Sequence, residues 1–288
     1  MALASRGRFG FALLVAHSGA KVELIVCICG DFPEFRVQRR MAVILLPPPL
    51  ETCGGTPFPY RQRMFKPTDL FDLSQTEHAA LFDGCEHAWE ALKRIKEYLK
   101  ANARSEQHHR LVGHAHIGEN VFIGEGTVVE DGAMIKGPAI IGRNCQIRHN
   151  AYFREDVIVG DGCVVGNSCE LKNAMLFNNC EVPHFNYVGD SILGYKAHLG
   201  AGVVLSNVKV IKGNVAVEWN GERIDTGLRK FGALIGDHGQ VGCNAVLNPG
   251  SIVGRSAVIY PCTNWRGVLP ANSVAKNKAT VEVSARRS

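Results

Sequence analysis

The chain of 288 residues is 46% hydrophobic and 20% charged, with 31 Gly and 12 Pro, the profile of a globular protein with enough apolar surface for a sizeable core. Its formal net charge of +5 comes from 32 Lys and Arg against 27 Asp and Glu spread along the chain; without a basic stripe or an aromatic stacking motif this argues against nucleic acid and leaves anionic small molecules open. No stretch is long enough to cross a membrane, and the ten cysteines lack the paired spacings of a zinc site or a compact disulfide framework, so they read as reduced thiols of a cytoplasmic protein.

At the amino end, "MALASRGRFGFALLVAHSGA" has two arginines, an apolar run from Phe9 to Ala16 and small residues at Ser18 and Ala20. This is a weak signal-peptide pattern, set aside because the run is short. Met41 and Met64 are alternative starts, since "LLPPPLETCGGTPFPYRQR" has the composition of a linker. Residues 1–63 are therefore read as a poorly structured extension or a mis-assigned start. Residues 64–105 are read as a helical segment: Ser74 with Glu77, and Asp83 with Glu86, form capping-box patterns that predict two helices. Trp89, Leu92, Lys96 and Leu99 fall near one face of the second, an amphipathic stripe suited to packing on a neighbour.

A repeat then begins. Leu111, Ile117, Ile123, Val129, Ile135, Ile141, Ile147, Phe153, Val159, Val165, Leu171 and Phe177 are each six residues apart, and a small residue such as Ala133, Cys145, Cys163 or Cys169 follows four positions after many of them. A period of six fits neither an isolated helix nor an alternating strand, but it fits a parallel β-helix in which each hexapeptide forms one short strand and one turn. With three hexapeptides per coil, residues eighteen apart stack, which places Cys145 over Cys163 inside the prism. The beat resumes at Tyr187, Leu193, Leu199 and Leu205, so Pro183 to Asn186 holds four residues where six are expected. It is lost again over residues 206–230, where "VAVEWNGERID" alternates around Asn220-Gly221 and predicts a β-hairpin arm at residues 208–229. Ile235, Val241, Leu247, Val253 and Ile259 complete the prism, read as residues 106–275, and residues 276–288 form a tail.

Where Gly does not follow the aliphatic residue, the replacement is informative. Lys136, Arg154 and Lys172 are eighteen apart and predict a vertical ladder of cations along one corner, which an anion such as a phosphate would neutralise. His184 falls at the interruption, beside Asn186, Tyr187, Gly189 and Asp190, and departures from a regular scaffold tend to carry function.

From Arg154 to Asn207, "REDVIVGDGCVVGNSCELKNAMLFNNCEVPHFNYVGDSILGYKAHLGAGVVLSN", and again at "RKFGALIGDHGQVG", the sequence resembles the hexapeptide-repeat acyltransferases. Within them it resembles the acetyltransferase half of the bifunctional bacterial enzyme that makes UDP-N-acetylglucosamine, and the carboxy-terminal domains of related archaeal sugar-1-phosphate nucleotidylyltransferases. The resemblance implies a left-handed parallel β-helix and a homotrimer whose clefts lie between neighbouring prisms. It further implies acetyl transfer from acetyl-CoA to an amino-sugar phosphate of the glucosamine-1-phosphate or galactosamine-1-phosphate type, with no metal required.

Position by position, His184 aligns with the family's general base. Arg154, Lys172, Tyr187 and Lys230 align with residues that hold the sugar phosphate, and Asn207 with one that binds the sugar. Ala201 lies in the stretch that lines the acetyl-CoA site. Imidazole suits the base because an ammonium must lose a proton before its nitrogen can attack a thioester. His198 stands where the family has a sugar-binding Asn, and Cys243 where a Ser contacts the coenzyme. The strand and Gly-rich loop of a nucleotidyltransferase are missing, so pyrophosphorylase activity is not expected. Two alternatives stay open: a non-catalytic trimeric scaffold that binds sugar phosphate, and a zinc enzyme like the γ-class carbonic anhydrases. In the latter His149 and His184 have near-ligand spacing, but position 189, where a third ligand is expected, is Gly.

Overall fold

Aliphatic residues six apart cannot all be buried unless the chain turns after each one, and in the computed structural model they line the inside of a left-handed parallel β-helix of about nine turns. The structure describes residues 10–18, 21–29 and 65–277, in two units, Met1–Arg61 and Gln62–Ser288. In the first unit Gly10–Ser18 and Lys21–Cys29 pair antiparallel as a hairpin. The alternative starts at Met41 and Met64, the proline-rich stretch and residues 278–288 lie outside the described residues.

In the second unit one inner column runs Ile117, Ile135, Phe153, Leu171, Val188, Leu205, Leu247. From Ile135 upward every member is fully buried. A second inner column is polar: Thr127, Cys145, Cys163 and Cys180 each donate to a carbonyl of their own coil, at Gly142, Gly160, Phe177 and Gly194. Cys145 does stack on Cys163, and both are free thiols, as are Cys85, Cys169, Cys180, Cys243 and Cys262. Leu111, first of the beat, is 46% exposed at the open end of the prism.

The interruption falls elsewhere than the beat suggests. The inward residues are Leu171, Leu176, Val182, Val188 and Leu193, each fully buried, so Val182 to Val188 is a full step of six and Pro183 to Asn186 is not shortened. The steps one residue short are Leu171 to Leu176 and Val188 to Leu193. Stacked partners accordingly shift from eighteen apart (Val157 with Ala139) to seventeen (Val157 with Ala174). There the chain runs round the corner as continuous strands, Glu170–Leu176 and Tyr187–Leu193, which fuse two faces of the prism into one 14-stranded sheet. Phe177 and Tyr187 mimic the beat because each adjoins the aliphatic residue that is buried inside the prism. Phe177 instead packs on Phe71 and Phe82, with ring centroids 5.0 and 5.8 Å away.

Those two rings belong to a cap, residues 65–102, over one face of the prism, where Ile158, Met175, Ile192, Leu234 and Ile252 are fully buried. The capping-box expectation is corrected here. Ser74 lies inside a 3-10 turn, Leu73–Gln75, capped by Asp72, between a four-residue α-helix, Pro67–Leu70, and a second 3-10 turn, Ala79–Phe82, and the long α-helix starts only at Ala91, running to Asn102 behind the 3-10 turn Ala88–Glu90. The segment ahead of it contains Gly84 at φ +67°, whereas "ALKRIKEYLKAN" is an unbroken run dominated by good helix formers. Leu92, Ile95 and Leu99 form its buried stripe; Lys96 is exposed. Asp237 ties cap to prism by accepting the N–H groups of Asp72 at 2.6 Å and Tyr195 at 2.8 Å. The hairpin arm is present as Val215–Trp219 and Glu222–Leu228 around Asn220 and Gly221, both at positive φ.

Burial pushes the Cys163 and Cys169 thiols up, and Cys145 is pushed up by its hydrogen bond with the Cys163 thiol and by burial. Since the thiolate is the reactive form, iodoacetamide at pH 8 is expected to label exposed Cys243 and Cys262 in the native protein and to leave Cys145, Cys163 and Cys169 unmodified until denaturant is added. Peptide mass spectrometry before and after unfolding checks this.

Candidate functional site

Stacking by coil turns sequence spacing into vertical columns, and two corner columns carry the candidate residues. The first holds Asn167, His184, Ala201 and Cys243 one above another. Asn167 pairs in register with His184, the His184 carbonyl accepts the Gly202 N–H at 2.9 Å, and the Ala201 carbonyl accepts the Asn244 N–H at 2.8 Å. His184 is exposed, and its ring makes no hydrogen bond among the described residues. What fixes it is backbone. Its N–H donates to Asn186 Oδ1 at 3.1 Å, and Asn186, 2% exposed inside the prism, donates its Nδ2 to the Gly200 carbonyl at 2.6 Å. One buried amide thus ties the His184 turn to the Ala201 turn above it. Phe185, the next residue, takes a left-handed conformation (φ 52°) and is 63% exposed.

The second column holds Lys136, Arg154, Lys172 and Gly189, so the ladder exists. The chain's own carboxylates meet part of its charge. Arg154 is paired with Glu170 at 3.1 Å and Glu155 at 3.6 Å, Lys172 lies 3.8 Å from Asp190, and Lys136 sits over the Tyr152 ring at 5.3 Å. The hydrogen bond from Arg154 to Glu170 raises the Arg154 guanidinium above its ordinary range. At Lys172 the residue-short step recesses the corner: the Lys172 side chain is 16% exposed against 34% for Arg154, and Asp190 is buried.

Tyr187 lies on the strand between the two columns, in register with Glu170. Burial, then the Glu170 and Asp190 charges, push its phenol up. Asn207 is nearly buried and donates to Asp190 at 2.5 Å. Lys230 is exposed at the neck of the arm, where its backbone bridges to Val208. The fold therefore brings Arg154, Lys172, Tyr187, Asn207 and Lys230 to one corner and strand, one strand away from His184. His198 is not among them: it lies on the neighbouring face beyond the Ala201 corner, with Nδ1 2.8 Å from Glu181.

Three residues of this region escape the sequence reading in whole or in part. Asn186 stands out there only as a neighbour, Glu170 not at all, and Asp190 only beside His184; Asn186 acts on His184 and Gly200, Glu170 on Arg154 and Asp190 on Asn173 and Asn207, at separations that the period of six does not reveal. Two cavities lie away from this corner, one of about 410 Å³ between cap and arm bordered by Trp89 and Asp225, the other of about 310 Å³ at the arm's base bordered by Lys209 and Arg266. Among the described residues no group of three or more His, Cys, Asp or Glu is disposed to hold a metal ion, and no helix is long and apolar enough to cross a membrane.

The floor under His184 has no slack. Gly166 lies below Pro183, whose carbonyl oxygen is 1.5 Å from where a Gly166 Cβ would stand. Backbone cannot yield as a flexible side chain can, so Gly166→Ala is expected to cost about 1–3 kcal/mol, read as a lower denaturant midpoint in equilibrium unfolding, while Ala at exposed Gly221, whose Cβ meets nothing within 4 Å but whose φ is +81°, costs no more than about 1–2 kcal/mol of backbone strain.

The family described as GMPPB C-terminal domain matches residues 135–221, a segment that includes the second column and all of the first but Cys243. A bifunctional sugar-1-phosphate nucleotidylyltransferase/acetyltransferase from Sulfurisphaera tokodaii is 38% identical over 90 residues, 31% of this chain and 22% of the relative. The bifunctional protein GlmU of Methanococcus vannielii is 34% identical over 88 residues, 31% of this chain and 21% of the relative. The match thus spans about a fifth of the length of these curated relatives. Among solved structures, a UDP-N-acetylglucosamine acyltransferase from Campylobacter jejuni superposes with a TM-score of 0.28 at 15% identity, covering 62% of this chain and 74% of its own.

Proposed function

We propose that the protein is an acetyl-CoA-dependent N-acetyltransferase acting on an amino-sugar phosphate in nucleotide-sugar biosynthesis. The observation that carries this reading is the adjacency of the two columns: an unengaged imidazole at one corner, and at the next a recess with Arg154, Lys172, Tyr187 and Asn207. The names of the partial relatives, which include nucleotidylyltransferase/acetyltransferase, support the same chemistry.

The acceptor's phosphate is held at the Arg154, Lys172 and Lys230 side, where it displaces Glu155 and Glu170 from Arg154 and shares Lys172 with Asp190. The amine end reaches across Tyr187 toward His184. His184 takes the proton that the amine must shed, the nitrogen forms its bond to the thioester carbonyl carbon, and the carbon–sulfur bond breaks as His184 passes that proton to the departing sulfur, releasing coenzyme A as the thiol. The Ala201 N–H donates no hydrogen bond among the described residues, and we assign it to the oxyanion that develops on the thioester oxygen. Ala201 and Cys243 stand above His184 in one column, the position in which a coenzyme lying along the corner would bring its thioester to the base.

The site is open to one side in a single prism. A cytoplasmic homotrimer whose neighbour closes this cleft belongs to the same proposal, as does acetyl-CoA as the only cosubstrate, with no metal in the transfer step.

Thiol release from acetyl-CoA with glucosamine-1-phosphate, then galactosamine-1-phosphate, tests the reading. The protein is expected to turn over one of them, and His184→Ala to lower kcat by about 10²–10⁴ with an unchanged circular dichroism spectrum. Binding of either sugar phosphate without turnover would instead identify the non-catalytic scaffold, and a His184→Ala variant as active as the parent would remove the base from the mechanism.

A further inference from the structure

A carboxylate offers its neighbours only acceptors, whereas an asparagine side chain offers a donor at one end and an acceptor at the other and turns whichever its surroundings demand. Asn173, Asp190 and Asn207 occupy successive coils of a single column, as the pairing of Lys172 with Gly189 and of Val188 with Leu205 requires. Asp190 is the middle member and is 4% exposed. Its Oδ1 accepts from Asn173 Nδ2 at 2.9 Å, and its Oδ2 accepts from Asn207 Nδ2 at 2.5 Å. The backbone is held as firmly, with φ 45° and the Gly232 N–H on the Asp190 carbonyl at 2.8 Å. Both amides must therefore turn their NH₂ groups inward. The Asn207 Nδ2 and the Tyr187 hydroxyl also crowd the same spot, 2.7 and 2.5 Å from where a Gly189 Cβ would stand, so the donor end of the amide faces into the protein.

We propose that Asp190 is a positioning residue that fixes the polarity of the Asn207 amide, so that the corner presents Asn207 Oδ1 to its ligand and selects an acceptor that donates a hydrogen bond there. Such a donor is a hydroxyl or an ammonium. A phosphate dianion, which only accepts, is turned away from Asn207 and toward Arg154 and Lys230. Asp190 in this way sorts the two ends of an amino-sugar phosphate within one recess. Without it the Asn207 amide could flip and accept either end. The identity of that ligand rests on the function proposed above; the fixed polarity does not.

A polarity swap tests both parts. Asp190→Asn still accepts from Asn173 but turns an NH₂ toward the NH₂ of Asn207, which forces Asn207 to flip. Asn207→Asp sets two carboxylates against each other. The double variant Asp190→Asn with Asn207→Asp restores both amide contacts and keeps one carboxylate in the cluster to balance Lys172: Asn173 donates to the side-chain carbonyl of the amide introduced at position 190, and the NH₂ of that amide donates to the carboxylate introduced at position 207. Acceptor oxygen again faces the ligand.

Without any ligand, each single variant is expected to melt about 2–4 °C or more below the parent and the double variant to recover at least half of that loss. A double variant that melts no higher than Asp190→Asn overturns the inference, whatever the corner binds. In thiol-release assays Asp190→Asn is expected to raise KM for the sugar phosphate about tenfold, leave KM for acetyl-CoA unchanged and hold kcat within a few-fold, with the double variant restoring KM. A loss that falls equally on both substrates and is not restored by the swap marks a merely structural residue and overturns the assignment. If the parent has no turnover, calorimetric titration with glucosamine-1-phosphate reads the same pattern in Kd. Recovery by the swap then upholds the role of Asp190 while the transferase reading fails, and tight binding by Asp190→Asn overturns that role.

Discussion

The number of residues in a coil decides where the chain can turn, and at the corner that carries Lys172 and Gly189 that count drops by one in two successive coils. A regular corner, Phe153 to Val157, spends three residues between inward side chains and places the third, Asp156, at positive φ. The shortened ones, Leu171 to Ala174 and Val188 to Ser191, spend two, with Asn173 and Asp190 at positive φ. Strand pairing above and below keeps its register only if the shorter segment takes the inside path. The recess follows, and with it the burial of Asp190, the partial burial of Lys172 and the meeting of both with Asn207. A polar cluster on a prism's edge would otherwise be a solvated rim, where paired charges contribute little; inside the recess, losing one partner of Lys172 and Asp190 leaves a poorly hydrated charge.

The same count explains what could and could not be read in advance. The period of six was plain because each inward position is aliphatic and each turn is short, and the cation ladder followed from it by stacking alone. The place of the missing residue was ambiguous, since Leu176 and Phe177, like Tyr187 and Val188, offer two adjacent apolar side chains to one inward position. Packing chose the aliphatic member each time: Phe177 found the cap's rings and Tyr187 the polar strand between the columns. Periodicity carries no information on that choice.

The ladder shows a similar limit. Spacing placed Lys136, Arg154 and Lys172 correctly, but their neutralisation depends on Glu155 beside Arg154, Glu170 on the coil above and Asp190 at the recessed turn, three different relationships with no common spacing. A cation column therefore does not by itself signal an empty anion site. What distinguishes this corner is that its carboxylates are unequal. Glu170 and Glu155 are about a third or more exposed and free to swing aside, whereas the Asp190 side chain is 6% exposed and fixed by two amides. An incoming phosphate can displace the former pair from Arg154 at the modest cost of an exposed ion pair, but it cannot dislodge Asp190 without leaving buried donors unpaired.

The arm is placed to vary without disturbing that cluster. It leaves the prism after Asn207 and returns at Lys230, and its neck is closed by the bridge between Val208 and Lys230 and by the Phe231 N–H on the Asn207 carbonyl at 2.9 Å. Phe231 is fully buried, with Trp89 of the cap 6.2 Å from its ring, and the next residue, Gly232, donates to Asp190. Gly232 has no room for a side chain, because its Cβ would stand 2.3 Å from the Gly189 carbonyl oxygen and from Ser191 Oγ. The insertion is thus clamped at its base by contacts that also hold the recess, and closing a longer loop over a fixed neck costs little more than closing a short one. Length and sequence beyond the neck are then free to adapt to a neighbour or to an acceptor, while Asn207 and Lys230, the two residues that bracket the arm, stay where the shortened coil puts them.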